Sequence, residues 1–567
     1  VVMNRKNLTA AVLAGLAGVA GIAGTAQAVN MNPDGVGQVL LYPYYTTNDG
    51  NQTLISVVNT TENAKAIKVR FLEGFNSRVV LDFNLYMSRE DVWTAALYQG
   101  EACAGFECVT TMVTADTSCT VPYIYGNGGM QEFLPYAYTG DFEDGGPTGT
   151  GRSAEGHIEM IEMGTLVGDA AVDATHDENG MPADCMALTD RWTQIVGGDN
   201  GIWFDEAQDD NGQASTDTTR NSGGLFGAAS VVNVSNGTMY SYDAKAIQGF
   251  DDTDDGIHYI PGTIYPSLAS GSQTDSWVFF GVPQNQAVMV DYDNSVDAIS
   301  GVFMHDNLMN EYVTDPDLNA GTEWVITFPT KNFYVDDERM QREGLIADID
   351  DAEDGGDQDG LSCKEIEDDG VGTGKYDCVA VARAPFTQLF GAMDSDDNPL
   401  CEIVGLKTWD REENTYLQPD QPDVIIPPVV SPAPPDECIP GYDEECTSET
   451  VFQLCNEVNV LRFGEESVFG TPDLDGQSLL LSVEDEFTEG WGRVSFTYTG
   501  KFDDDDEPIA RADEEGLVGL PVTGFAAMQF ENGYLDGGSV KANYGGLFQH
   551  KFSVRSVEND GAEVEPF

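Results

Sequence analysis

The sequence predicts an all-β, multi-domain protein of antiparallel β-sandwich type, with few short helices and long acidic loops. Three observations carry that expectation. Apolar residues recur at every second position in several short runs, the period of a strand with one buried face. Sixty-two glycines, many of them in Asn-Gly and Asp-Gly steps, supply the turns between such runs. Helical periodicity is scarce. With 41% hydrophobic residues the chain has material for real cores, and its length suggests roughly two to four domains.

The first expected element is a signal peptide over residues 1–28. Arg5 and Lys6 precede an apolar run from Leu8 to Ala23, and Thr25-Ala26-Gln27-Ala28 offers small residues for cleavage after Ala28. The run is short for a bilayer span, and no second long apolar stretch follows, so no membrane span is expected after signal removal. Val36 to Tyr45 reads as a strand with Pro43 inside it, which confines it to a sheet edge or a strand end. It either begins the first sandwich or is lent to a neighbouring subunit.

Ile67, Val69 and Phe71 alternate with Lys68 and Arg70, and Leu81, Phe83 and Leu85 alternate with Asp82 and Asn84. Glu73-Gly74-Phe75-Asn76-Ser77 joins them into a hairpin with one buried face. Ser88-Arg89-Glu90-Asp91 reads as a capping box opening a short helix through Trp93 to Leu97. Ser295 to Tyr312 holds a second helix. Trp324, Ile326 and Phe328 mark a strand stopped by Pro329, and Val494, Phe496 and Tyr498 mark another.

Composition then divides the chain. A large β-sandwich region is expected over 29–335, as one unit or two. An acidic insertion with closing strands follows over 336–418, then a Pro-rich linker over 419–436 with extended polyproline character. A C-terminal β domain is expected over 437–567. Inside the large region Ser56-Val57-Val58-Asn59 recurs as Ser230-Val231-Val232-Asn233. Each is followed by a Lys-Ala-Ile, at Lys65-Ala66-Ile67 and Lys245-Ala246-Ile247. Duplication of a β unit and chance reuse of Val and Ile are both open readings.

Charge bounds the function. Lys and Arg number 26 against 97 Asp and Glu, a formal net charge of −71. Such a chain repels itself unless cations screen it. Nucleic acid and anionic lipid, which need a basic face, are poor partners. Ten cysteines in an exported chain read as disulfides rather than zinc ligands, since only five histidines exist. Local pairs are expected: Cys363 with Cys378 closing the most acidic loop, and Cys438, Cys446 and Cys455 stapling the linker's exit.

The acidic turns are the candidate sites. Calcium takes six to eight oxygens from closely spaced carboxylates and carbonyls. Three stretches offer that donor type: Asp205, Asp209 and Asp210 before Gly212; Asp251, Asp252, Asp254 and Asp255 before Gly256; and Asp350, Asp354, Asp357 and Asp359 before Gly360. None fits the twelve-residue EF-hand register, and plain solvated loops are the competing reading. For catalysis there is no nucleophile elbow, no His-Glu-x-x-His and no P-loop. Paired carboxylates are guaranteed by chance among so many acids. Tyr42, Tyr44 and Tyr45, with Tyr123, Tyr125, Tyr136 and Tyr138, either stack on sugars or pack in cores.

Several stretches resemble an uncharacterised family of exported proteobacterial cell-surface proteins. They are Gly37-Gln38-Val39-Leu40-Leu41-Tyr42-Pro43-Tyr44-Tyr45-Thr46, Lys68-Val69-Arg70-Phe71-Leu72-Glu73-Gly74, Trp324-Val325-Ile326-Thr327-Phe328-Pro329 and Asn543-Tyr544-Gly545-Gly546-Leu547-Phe548. The resemblance implies export and surface association, with no activity or catalytic residue to carry over. The reading expected from the sequence is a secreted, non-enzymatic coat, matrix or filament component with calcium as its possible cation. Its partners are itself or surface polysaccharide. An extracellular adhesin or carbohydrate-binding protein is the alternative, and a secreted hydrolase the third.

Overall fold

A computed structural model describes residues 28–100, 109–196, 198–281, 286–346, 360–367, 375–393, 399–412, 450–464, 466–472, 478–481, 488–502, 508–535 and 540–557. Strands account for 45% of the described residues and helices for 16%, so the expected class holds.

The first body is built from twelve main strands. They are β1 (Val39–Thr46), β2 (Asn51–Asn59), β3 (Lys65–Glu73), β4 (Val79–Met87), β5 (Val92–Gln99), β6 (Thr110–Val113), β7 (Cys119–Val121), β8 (Met130–Glu132), β9 (Glu155–Leu166), β10 (Leu225–Asn233), β11 (Thr238–Asp243) and β12 (Lys245–Gln248). One sheet runs β12-β1-β9-β3-β4-β7, and Asn30–Met31 extends it at β12. The other runs β11-β10-β2-β5-β6-β8. Tyr42, Val69 and Ile158 of the first meet Ile55, Trp93 and Val231 of the second in one core. Three short helices, α1 (Gly168–Ala174), α2 (Cys185–Arg191) and α3 (Ile202–Asp209), bury Leu188 and Trp203 with Ala66 and Tyr86.

The second body also has two sheets. Its strands are β13 (Asn307–Val313), β14 (Ala320–Thr327), β15 (Glu402–Asp410), β16 (Thr450–Leu454), β17 (Val458–Phe463), β18 (Ser478–Leu481), β19 (Glu489–Ser495), β20 (Thr523–Leu535), β21 (Val540–Gln549) and β22 (Lys551–Ser553). The orders are β16-β15-β19-β13-β22 and β18-β17-β14-β20-β21. On β14, Trp324 and Ile326 enter this body's core while Val325 joins the first body's core. Alternation along one strand therefore couples the two interiors.

Several expectations are corrected. The described strands of the expected C-terminal domain, 437–567, share sheets with earlier strands: β14 pairs with β17 and β20 and β19 lies between β13 and β15. Residues from both sides of the Pro-rich run complete the same sheets; the linker itself lies outside the described residues. Of the three disulfides among the described residues, one is local: Cys363–Cys378 forms as expected, whereas Cys401–Cys455 and Cys119–Cys185 span 54 and 66 residues. Cys103, Cys108, Cys438 and Cys446 lie outside the described residues.

The capping-box helix is instead β5. Asp91 folds back to accept from the Ser88 N–H at 3.0 Å, and Val92, Trp93 and Thr94 are β-branched or aromatic, suited to a ladder with β2. The second helix is cut to α4 (Ser295–Phe303), with Asn294 as its N-cap. β1 is an interior strand. Its proline is tolerated because β12 pairs only with Val39 to Leu41, and the β9 register slips between Gly156 and Ile158, beside Pro43.

Candidate interaction surface

The expected solvent face of the β3–β4 hairpin is in fact sealed. Lys65, Lys68 and Arg70 are buried and lie 2.5, 2.6 and 2.6 Å from Glu162, Asp82 and Glu159. The same pairing recurs elsewhere: Arg152 holds Glu73 and Asp144 at 2.8 and 2.6 Å, Arg383 holds Asp297, Arg462 holds Glu323 and Arg511 holds Glu402. A charge leaves water only with a partner, so the interior carboxylates take up many of the chain's few cations. The surface is left with an even larger share of uncompensated acid than the composition shows.

One broad face escapes this. The sheet β11-β10-β2-β5-β6-β8 turns alternate residues of its long strands into the core, and the outward residues of β2, β5, β10 and β11 are exposed or half-buried. Outward on β2 stand Gln52, Leu54, Ser56 and Val58; on β5 Val92, Thr94, Ala96 and Tyr98; on β10 Phe226, Ala228, Ser230 and Val232. β6 adds Thr111 and Val113. None carries a charge. The outward acids are Asp243 on β11 and Glu132 on β8, on the two strands that end the sheet.

The relief of this face follows from side-chain size. Ser56, Thr94, Ala96, Ala228 and Ser230 floor a shallow depression of about 420 Å³ bounded by Leu54 and Val113. Phe226 and Met239 rise beside it, 42% and 55% exposed. Strand spacing and rise put the sheet plane at roughly 600 Å², against about 800 Å² per partner in a standard stable interface. Apolar and small polar side chains share that plane, and its lack of charge makes it the candidate interaction surface.

The echoed segment lies at the centre of this sheet. Ser56-Val57-Val58-Asn59 is on β2 and Ser230-Val231-Val232-Asn233 on β10, and the two strands pair antiparallel with Ile55 opposite Ala229. These are the residues just before the two echoes. The following Lys-Ala-Ile segments lie on β3 and β12, which flank the β1–β9 pair on its two sides. Sequence echo and strand pairing therefore describe one pseudo-twofold arrangement.

The predicted metal residues are not gathered. Asp205, in the first turn of α3, accepts from Asn200; Asp209 ends α3 and Asp210 is its C-cap. Asp251 is buried and holds Asn221 and Thr253. Asp252 accepts from Ser272, and Asp254 pairs with Arg220 on the surface; Asp255 is exposed. Asp350, Asp354, Asp357 and Asp359 lie outside the described residues. Among the described residues no three His, Cys, Asp or Glu side chains converge on a metal position.

Of the tyrosines, Tyr42, Tyr44, Tyr45 and Tyr138 are buried. The Tyr44 hydroxyl donates to Glu155 at 3.0 Å, and Tyr138 lies under the Arg152 guanidinium at 4.5 Å. Only Tyr136 stands well out, at 72% exposure. Burial pushes the carboxyls of Glu155 and Asp513 up to about 7. Burial likewise pushes His258, His305 and His550 down to about 3, keeping those rings neutral. Strands β2, β5 and β10 each carry an alternating pattern with uncharged outer positions. That signal was present in the sequence, but recognising a face required knowing which strands are neighbours.

No protein-family model matches the chain, and no curated protein or solved structure matches it.

Proposed function

We propose that this protein is a non-enzymatic, extracellular or cell-surface structural component that assembles from copies of itself. The observation that carries the reading is the uncharged sheet face of β10, β2, β5 and β6 on a chain of net charge −71. Two such chains repel wherever acidic surfaces meet. Approach through this face brings together Leu54, Phe226 and Met239 with the fewest carboxylates between the copies, and its pseudo-twofold pattern suits a symmetric contact. Three disulfides and the signal-like residues 1–28 support a place beyond the inner membrane. No described helix is long and apolar enough to cross a membrane. Divalent cations, calcium among them, act in this reading as counter-ions to the acidic loops.

Light scattering of the purified chain over a rising concentration series, followed by electron microscopy, tests the proposal. Ordered assemblies or a concentration-dependent dimer are expected. A monomer at every concentration and salt contradicts it.

A further inference from the structure

A second concavity, of about 610 Å³, lies away from the uncharged face and within the size range of small-ligand sites. Its lining brings together three guanidinium groups, Arg78, Arg339 and Arg342, in a chain with 26 cations in all. Arg78 is engaged: Asp336 stands 2.6 Å away and Asp144 3.3 Å. The other two are on α5–α6, where α5 spans Asn332–Val335 and α6 spans Asp337–Arg342. Three residues apart on α6, they share one helix face.

Arg339 is 4% exposed, yet its Nε and Nη2 make no hydrogen bond. Glu343 lies 3.0 Å from Nη2 as a charge partner, and Phe333 supports the guanidinium at 4.5 Å. Buried guanidinium N–H groups left unbonded are costly. Arg342 is exposed at the mouth, with no carboxylate partner among the described residues. Asn76 and Asn332, also in the lining, each leave a buried amide oxygen without a donor. Tyr136 and Phe142 also line the pocket, 72% and 58% exposed.

We infer that this pocket binds a carboxylated sugar, a hexuronic acid unit of an acidic saccharide, through Arg342 and Arg339. Each part of the pocket answers to one part of that ligand. A planar carboxylate matches a guanidinium fork. The apolar face of a pyranose ring stacks on an exposed aromatic such as Tyr136. Two carboxylates also line the pocket, Asp82 and Asp336, and each is paired with a cation, Lys68 and Arg78, at 2.6 Å; the wider acidic surface is screened beyond a Debye length of about 10 Å at 0.1 M salt. The site is independent of self-assembly, so either reading stands if the other fails.

Titration calorimetry of the full chain with galacturonic acid, and separately with neutral galactose, tests the inference. Galacturonic acid is expected to bind and galactose to bind at least about ten-fold more weakly, the scale of one charge-assisted hydrogen bond. Arg342→Ala and Tyr136→Ala remove exposed side chains and leave the fold intact. Each is expected to weaken galacturonic acid, Arg342→Ala by about ten-fold or more. Arg220→Ala, a surface cation elsewhere, is expected to change nothing. Absence of galacturonic acid binding, equal binding of galactose, or binding untouched by Arg342→Ala overturns it.

Discussion

Ile55 of β2 lies directly opposite Ala229 of β10, and each immediately precedes a copy of the same four residues, Ser-Val-Val-Asn. The two echoes run antiparallel about that pair. On the outward side of the sheet, Leu54 faces Ser230 and Ser56 faces Ala228. Rotation about that centre exchanges Ser56 with Ser230 and Val58 with Val232, but Leu54 with Ala228 and Gln52 with Phe226, so the twofold character of the face is partial.

Assembly through an uncharged face on an acidic chain is expected to strengthen with salt. Screening shortens the Debye length from about 30 Å at 0.01 M to about 10 Å at 0.1 M. Repulsion between the acidic flanks falls, while burial of Leu54, Phe226 and Met239 does not depend on it. Light scattering in sodium chloride is the check: association should rise with ionic strength. An interface built on ion pairs would loosen instead.

Stability is expected to be greatest in mildly acidic solution. Burial raises the folded carboxyls of Glu155 and Asp513 from their ordinary values of 4.5 and 3.8 to about 7. The folded state then binds more protons than the unfolded one. The stability these groups give is fully present below their unfolded values and is lost as pH rises through about 7. Asp144 has the opposite sign. Burial alone would raise it, but Arg152, Asn76 and Arg78 outweigh that and hold it down to about 2. Its contribution is present above its ordinary 3.8 and is lost as pH falls toward 2. Melting curves should peak near about pH 5 and fall toward pH 8. Glu155→Gln should flatten that fall, since the carboxyl oxygen Oε1 is buried without a donor. A variant with an unchanged slope counts against Glu155 as its source.

Removing Cys401–Cys455 is expected to be costly. The bridge closes 54 residues and ties the residue just before β15 to the residue just after β16. The chain-entropy model gives about 4 kcal/mol for a loop of that length. The double variant Cys401→Ser, Cys455→Ser should melt well below the parent. An unchanged melting temperature would mean that the β15–β16 ladder alone holds this part of the fold.

Much of the strand content was legible in single segments. The β3–β4 hairpin, the turn at Glu73 to Ser77 and the strand around Trp324 follow from local alternation and turn residues. What failed depended on neighbours. Lys68 and Arg70 read as solvent-facing because a single strand cannot show that Asp82 on β4 and Glu159 on β9 wait opposite them. Ser88 to Asp91 offered a helix start, but the ladder with β2 gave the following residues more than an isolated turn of helix could. The Pro-rich run suggested a domain boundary, yet β14 takes β17 and β20 as partners from beyond it. The calcium reading rests on donor type alone, because convergence of donors is a tertiary property that a sequence does not show. Tyr136 was one of seven tyrosines singled out, and only the fold separates it from the buried ones.

Sedimentation velocity on the parent chain and on Phe226→Asp measures the central claim most directly. Phe226 is exposed on β10, so an acid there adds no buried charge and leaves the melting temperature unchanged. The parent is expected to sediment as an assembly and the variant as a monomer. Equal sedimentation of the two, with the fold intact in both, would contradict assembly through the uncharged face.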